Sequence, residues 1–133
     1  MSPTFVVDAS VVVQACLDAG AFGPLEGHTL VGPPLLASEA LSALHEAAFR
    51  GEISKDLARA ASERLQVAPI DLVRPDGFAA AAWEVADALG WAKTYDAEYV
   101  ALARLLGCAL LTVDARLARG AGHLVRIIGP ADL

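Results

Sequence analysis

The chain has 133 residues, 56% of them apolar, with a net charge of −6. That is enough apolar surface to build one core, so a disordered or low-complexity protein is excluded and a single domain spanning residues 1–133 is expected. The acidic balance excludes a protein that coats nucleic acid through charge alone, because such binding depends on Lys and Arg neutralising phosphates; an enzyme that meets phosphate through a bound cation is still allowed.

Thr4 to Val7, TFVV, is a short β-prone run that ends at Asp8, and the helix-compatible ASVVVQACL follows. Asp8 therefore stands at the carboxyl end of a strand, where it is either the cap of the next helix or a functional acid. The hydroxyl of Ser10 supports either role. Gly20 to Gly27 reads as a loop, and His28 to Val31 as a brief second strand. Pro33 and Pro34 announce a helix, LLASEALSALHEAAFR, which Gly51 stops. Ala37, Leu41, Leu44 and Ala48 form its apolar stripe, and Glu39 projects away from them near Glu46 and Arg50, which favours a solvated Glu39.

A third helix runs from Ser54, its cap, to Gln66, with Leu57, Ala61 and Leu65 along one side. Ala68 to Val73 reads as an edge strand, because Pro69 has no N–H to give a central ladder. Phe78 to Leu89 is a helix closed by Gly90, with Trp83 and Trp91 as packing residues. Asp96 to Leu106 is a further helix stopped by Gly107, and Asp96 is a candidate cap or a candidate acid. Cys108 to Val113, CALLTV, is an apolar run of the kind buried on both faces of a parallel sheet. Asp114 ends that run and precedes the helical turns ARLARGA; Leu124 to Ile128 supplies a last strand.

Strands alternating with helices imply an α/β domain whose mainly parallel sheet is covered on both faces. His45 and Glu46 begin an HExxH-like pattern, but Phe49 stands where the second His would be, so the two-histidine zinc geometry is absent. His28 and His123 read as surface or loop residues, and Cys16 and Cys108, too far apart for a CxxC, as buried thiols. No GxGxxG, GxxxxGK[ST] or GxSxG occurs. Apolar runs break well before the roughly 20 residues that span a bilayer, and the start of the chain lacks a basic signal segment, so a cytoplasmic protein is expected.

Taken in order, VVDAS around Asp8, PPLLASEAL around Glu39, TYDAEYVALA around Asp96 and LLTVD around Asp114 resemble the PIN-domain family, above all its VapC-type toxin ribonucleases. The resemblance covers nearly the whole chain. It implies a PIN-like three-layer α/β/α sandwich and an acidic pocket of Asp8, Glu39, Asp96 and Asp114 that holds Mg²⁺ or Mn²⁺, with Ser10 and Thr112 as supporting hydroxyls. Asp8 and Asp96 would be the principal ligands, and Asp114 and Glu39 would hold waters or a second ion. The implied activity is a metal-dependent endoribonuclease, the toxin of a type II toxin-antitoxin pair, acting on RNA as a homodimer and inhibited by a cognate antitoxin that places an Arg or Lys near Asp96. One departure is Ser42, where many relatives have Asn three residues after the helix Glu.

The chemistry of such a pocket follows independently of the name. Two carboxylates about 4 Å apart repel by roughly 4 kcal/mol at an effective dielectric near 20, so converging acids need a cation, and a hard divalent one needs only carboxylate and water oxygens. Lys93, Arg116 and Arg119 flank the acidic segments as candidate RNA-phosphate contacts, or as ordinary solvated charges. Two other classes use acids in an α/β fold: a nuclease-inactive PIN-like domain that binds RNA or protein, and a receiver-like phosphoacceptor, for which no partner lysine is evident on a late strand.

Overall fold

A computed structural model describes residues 3–133; Met1 and Ser2, read above as part of the domain and of a start without a secretory signal, lie outside the described residues. Strand β1 (Thr4–Val7) leads into helix α1 (Ala9–Leu17), and a 3₁₀ turn at Gly23–Leu25 leads into β2 (Thr29–Gly32). Helices α2 (Leu36–Phe49) and α3 (Lys55–Gln66) precede β3 (Ile70–Leu72). Helices α4 (Phe78–Leu89) and α5 (Tyr95–Leu106), strand β4 (Ala109–Leu111), helix α6 (Ala115–Ala121) and strand β5 (Ile127–Ile128) complete the order.

The five strands are all parallel, in the order β3-β2-β1-β4-β5. Val6 faces Val31 on one side and Leu110 on the other, so β1 lies at the centre. Its neighbours make it the driest part of the molecule: Val6, Val7, Leu110 and Leu111 are fully buried. β3, following Pro69, is an edge strand as its proline requires. The chain moves from β1 toward β3 in its first half and then returns past β1 to β4 and β5. Right-handed crossovers in opposite directions put their helices on opposite faces of the sheet. Accordingly α1, α2 and α3 pack on one another, while α4 packs on α5 and α5 on β1 and β4. The result is the expected three-layer α/β/α sandwich.

Local signals set most boundaries. Ser54 caps α3 by accepting from the Leu57 N–H, and Gly90 and Gly107 close α4 and α5 in the left-handed region, at φ 69° and 65°. Arg64 of α3 donates from Nη1 to the Cys16 carbonyl at 2.7 Å, tying α3 to the end of α1.

The face of α2 differs from the expected one. Leu36, Ala40 and Leu44 are buried, whereas Ala37 and Leu41 are exposed. An Ala- and Leu-rich helix offers several apolar stripes, and Gly32 decides among them: a Cβ on Gly32 would come within 2.4 Å of Leu36 Cδ2, so the missing side chain admits Leu36 to the core. That rotation carries Glu39 out of the solvated position assigned to it and onto the inner flank of the helix. Trp83 is also corrected: it is 67% exposed on the outer side of α4 and packs little. Trp91 does pack, lying over Gly120. Leu106, at the last turn of α5, is exposed. His28 is half-buried beside the Phe5 ring instead of lying on the surface, with its Nδ1 unpartnered. Cys16 is fully buried and Cys108 half-buried. Among the described residues no helix is long and apolar enough to cross a membrane.

Candidate active site

In an open parallel sheet, side chains that serve a ligand gather beyond the carboxyl ends of the strands where the strand order reverses. Here that point lies between β1 and β4. Asp8 follows β1 directly, and Thr112 and Asp114 follow β4.

Asp8 is 5% exposed, and its side chain caps α1 by accepting from the Val11 N–H at 3.1 Å. Cap and buried acid are thus the same residue. Ser10 Oγ donates to Asp8 Oδ1 at 2.6 Å, and Thr112 Oγ1 donates to Oδ2 at 2.5 Å. The direction of these bonds is dictated from outside. The Val113 N–H donates to Ser10 Oγ at 3.2 Å and the Asp114 N–H to Thr112 Oγ1 at 3.0 Å, so each hydroxyl is left to turn its own proton toward the carboxylate. Both hydroxyls proposed as supports therefore meet Asp8, and the loop after β4 orients them. Burial pushes the Asp8 carboxyl above the usual range; the Ser10, Thr112 and Val11 donors oppose that rise, and the charge of Asp114 adds to it.

Asp114 caps α6, accepting from the N–H groups of Arg116 at 2.9 Å and Leu117 at 3.2 Å. Asp96 is not a cap: it sits in the first turn of α5 behind Thr94. It faces Arg116, whose Nη2 lies 3.5 Å from Asp96 Oδ2 in an exposed pair. Glu39, from the first turn of α2, reaches across to α5, where Tyr99 donates its hydroxyl to Glu39 Oε1 at 2.5 Å. Burial raises the Glu39 carboxyl above its ordinary value; the Tyr99 bond opposes this, and the charges of Asp96 and Asp8 reinforce it. The same Glu39 bond, with burial as the larger cause, pushes the Tyr99 phenol far up, so it remains a donor.

Glu39 and Asp96 line one cavity of about 670 Å³ together with Trp91, Lys93, Tyr95 and Arg116. The acids thus fall into two linked sets. Asp8 and the backbone N–H of Asp114 share the hydroxyl network, Glu39 and Asp96 share the cavity, and the charge of Asp8 acting on Glu39 joins the sets. Among the described residues no three His, Cys, Asp or Glu side chains stand close enough to enclose a metal ion by themselves. Of the three candidate cations, Lys93 and Arg116 reach the cavity, while Arg119 is exposed on α6 and does not line it.

Sequence reading missed two participants. Tyr99 carries no signal of its own in the sequence, but its place three positions after Asp96 puts the two on one side of α5. The second is a neighbour and not part of the cavity lining: Glu98, whose carboxyl burial raises, with Arg74 opposing the rise and Glu39 adding to it.

A sequence profile of the PIN domain matches residues 5–122. Ribonuclease VapC9 of Mycobacterium tuberculosis is 38% identical over 116 residues, 84% of this chain and 87% of its own, and a VapC ribonuclease of Mycobacterium bovis, Mb0985, matches to the same extent. Ribonuclease VapC1 of M. tuberculosis is 38% identical over 124 residues, covering 88% of this chain and 90% of its own. The crystal structure of PAE2754 from Pyrobaculum aerophilum superposes with a TM-score of 0.72 over 99% of this chain and 94% of that one, at 21% identity, which supports the fold. With the profile spanning most of the chain and VapC relatives matching along nearly their full length, the chain belongs to the PIN domain family, among its VapC members.

Proposed function

We propose that this protein is a metal-dependent endoribonuclease, the toxin of a VapBC-type toxin-antitoxin pair. The observation that supports the reading is the placing of Asp8 and Asp114 just after β1 and β4, with Glu39 and Asp96 lining the adjacent cavity, in a chain 38% identical to VapC ribonucleases. The donor set suits a hard divalent cation, Mg²⁺ or Mn²⁺. Such ions keep several waters and need only one or two protein carboxylates, so the lack of a closed three-ligand cage is compatible with them. Asp8 and Glu39, raised by burial and by the charges of neighbouring acids, are also what a cation would relieve.

Asp8 and Asp96 would hold the ion directly, and Glu39 and Asp114 would orient waters around it. When bound, the ion lowers the pKa of a water and offsets charge on the departing oxygen of a phosphodiester. Ser10 and Thr112 hold Asp8 in place and favour its ionised form against the burial that opposes it. Lys93 and Arg116 border the acids and would meet RNA phosphates on either side of the bond to be cut. Arg116 already pairs with Asp96, so a cation or an RNA phosphate would compete for one partner of that pair.

The receiver-like alternative is disfavoured by topology. That fold orders its strands 2-1-3-4-5, whereas here β1 lies between β2 and β4. A nuclease-inactive domain is disfavoured because all the acids, and the hydroxyls that support Asp8, are present.

The test is incubation with a pool of RNAs with and without Mn²⁺, followed by mapping of the cut ends. Cleavage is expected only with metal, and Asp8→Asn should reduce it by more than the ~10–100-fold typical of an outer-shell partner, because the amide keeps the cap and removes the charge. Full activity in excess chelator overturns the metal mechanism. A homodimer held in check by an antitoxin belongs to the same reading; light scattering that gives a monomer at high concentration overturns the dimer.

A further inference from the structure

We propose that Tyr99 is a positioning residue for Glu39: its hydroxyl anchors one carboxylate oxygen so that the other is presented to the metal-binding edge. The proposal rests on the metal-dependent reading above. Glu39 has several rotatable bonds and begins a helix whose outer face is open to solvent, so nothing in its own element holds the carboxylate over the cavity. Tyr99 supplies the hold. Its ring is 1% exposed and packed within the core, which fixes the position of the phenolic oxygen. That oxygen donates to Glu39 Oε1 at 2.5 Å, across sixty positions of sequence and from one layer of the sandwich to the other.

Packing alone gives no reason for the hydroxyl. A phenylalanine would fill the same volume, and the bond to Glu39 is the one hydrogen bond of the Tyr99 side chain among the described residues. With Oε1 engaged, Oε2 is the oxygen left for water or cation. Ser10 and Thr112 hold Asp8 in a related way, one hydroxyl at each carboxylate oxygen, whereas Tyr99 takes one oxygen of Glu39 and leaves the other open. Outer partners of this kind set metal affinity through the orientation of the inner group. Because Asp96 lies one turn before Tyr99 on the same helix, α5 would carry one acid itself and hold the acid of α2 beside it.

The experiment compares wild type, Tyr99→Phe, Glu39→Gln and the double variant, each as the full chain. Mn²⁺ affinity is measured by calorimetry and by the metal-dependent rise in Tm, and single-turnover RNA cleavage is followed across a Mn²⁺ titration. Tyr99→Phe is expected to weaken Mn²⁺ binding about tenfold or more. Its cleavage should recover substantially at saturating Mn²⁺, so the metal requirement shifts further than the limiting rate. In the Glu39→Gln background the same change should have no further effect on affinity, since the two residues act as one unit.

Affinity within twofold of wild type in Tyr99→Phe, or equal losses with and without Glu39, overturns the proposal and leaves the nuclease reading standing. Wild type that binds no Mn²⁺ overturns both. Should Tyr99→Phe fail to fold, Glu39→Asp takes its place: it keeps the charge but is one methylene short of the Tyr99 hydroxyl. It should lose affinity to the same degree, and wild-type affinity in that variant overturns the proposal.

Discussion

Glu39 and Asp8 are carboxylates whose folded-state pKa values both lie above their ordinary ones, and this fixes the sign of a pH effect. Between the ordinary and the raised value the folded protein binds more protons than the unfolded chain. Stability contributed by the neutral forms is therefore present at low pH and is lost as pH rises from about 4 through the raised values, levelling off above them. In chelator, wild type should lose stability over that interval as far as these two groups are concerned. Glu39→Gln keeps an oxygen to accept from Tyr99 while removing the charge, so it should flatten the slope and raise the metal-free Tm near neutral pH. Thermal melts in chelator from pH 4 to 8 check this; a steeper slope or a lower Tm at neutral pH would show that Glu39 is held ionised by something other than a cation. The same variant should gain less than wild type from added Mn²⁺, whose stabilisation grows with its concentration.

Helix α2 illustrates how an element is aimed. Its sequence is rich enough in Ala and Leu to bury several faces, and the contact of Leu36 with the bare backbone of Gly32 selects one. A methyl at Gly32 would force Leu36, buried at 1% exposure, out of its place. Gly32→Ala is therefore expected to cost about 1–3 kcal/mol by overpacking, toward the lower end if Leu36 Cδ2 swings aside. Because α2 also carries Glu39, activity should fall by more than the stability loss accounts for. Urea unfolding with a cleavage assay on the remaining folded protein separates the two effects, and wild-type stability in Gly32→Ala would show that Leu36 does not set the rotation of α2. Helices α3, α4 and α5, by contrast, run close to their expected limits, because Ser54, Gly90 and Gly107 are cap signals that act within a single turn.

The whole molecule carries sixteen Asp and Glu against ten Lys and Arg, and its proposed substrate is a polyanion. Long-range attraction does not bring RNA to such a surface, so its binding should depend on the cation that covers the acids. RNA affinity measured with an Asp114→Asn variant, proposed to lack cleavage, is expected to fall several-fold or more when Mn²⁺ is replaced by chelator. Equal affinity in the two conditions would place the RNA contacts away from the acidic edge. Lys93→Ala should weaken binding modestly at any RNA sequence and reduce its salt dependence, as the loss of a phosphate contact does. Arg119→Ala, outside the cavity, should change neither.

Much was decided by the sequence alone. The alternation of apolar runs with amphipathic stretches specified a parallel α/β sheet, Pro69 specified an edge strand, and Asp8 and Asp114 marked the carboxyl ends of β1 and β4, because these signals depend on backbone sterics and on neighbours a few residues away. The four ordered acidic segments also made the family legible. Tertiary structure alone decided which face of α2 is buried, since that depends on Gly32 meeting Leu36. Only the folded chain could bring Thr112 to Asp8 and Tyr99 to Glu39, and leave Arg119 outside the cavity that Lys93 and Arg116 enter. Residues 60 and 104 positions apart in sequence become partners through the packing of separate layers and the pairing of β1 with β4, and no local periodicity records such a meeting.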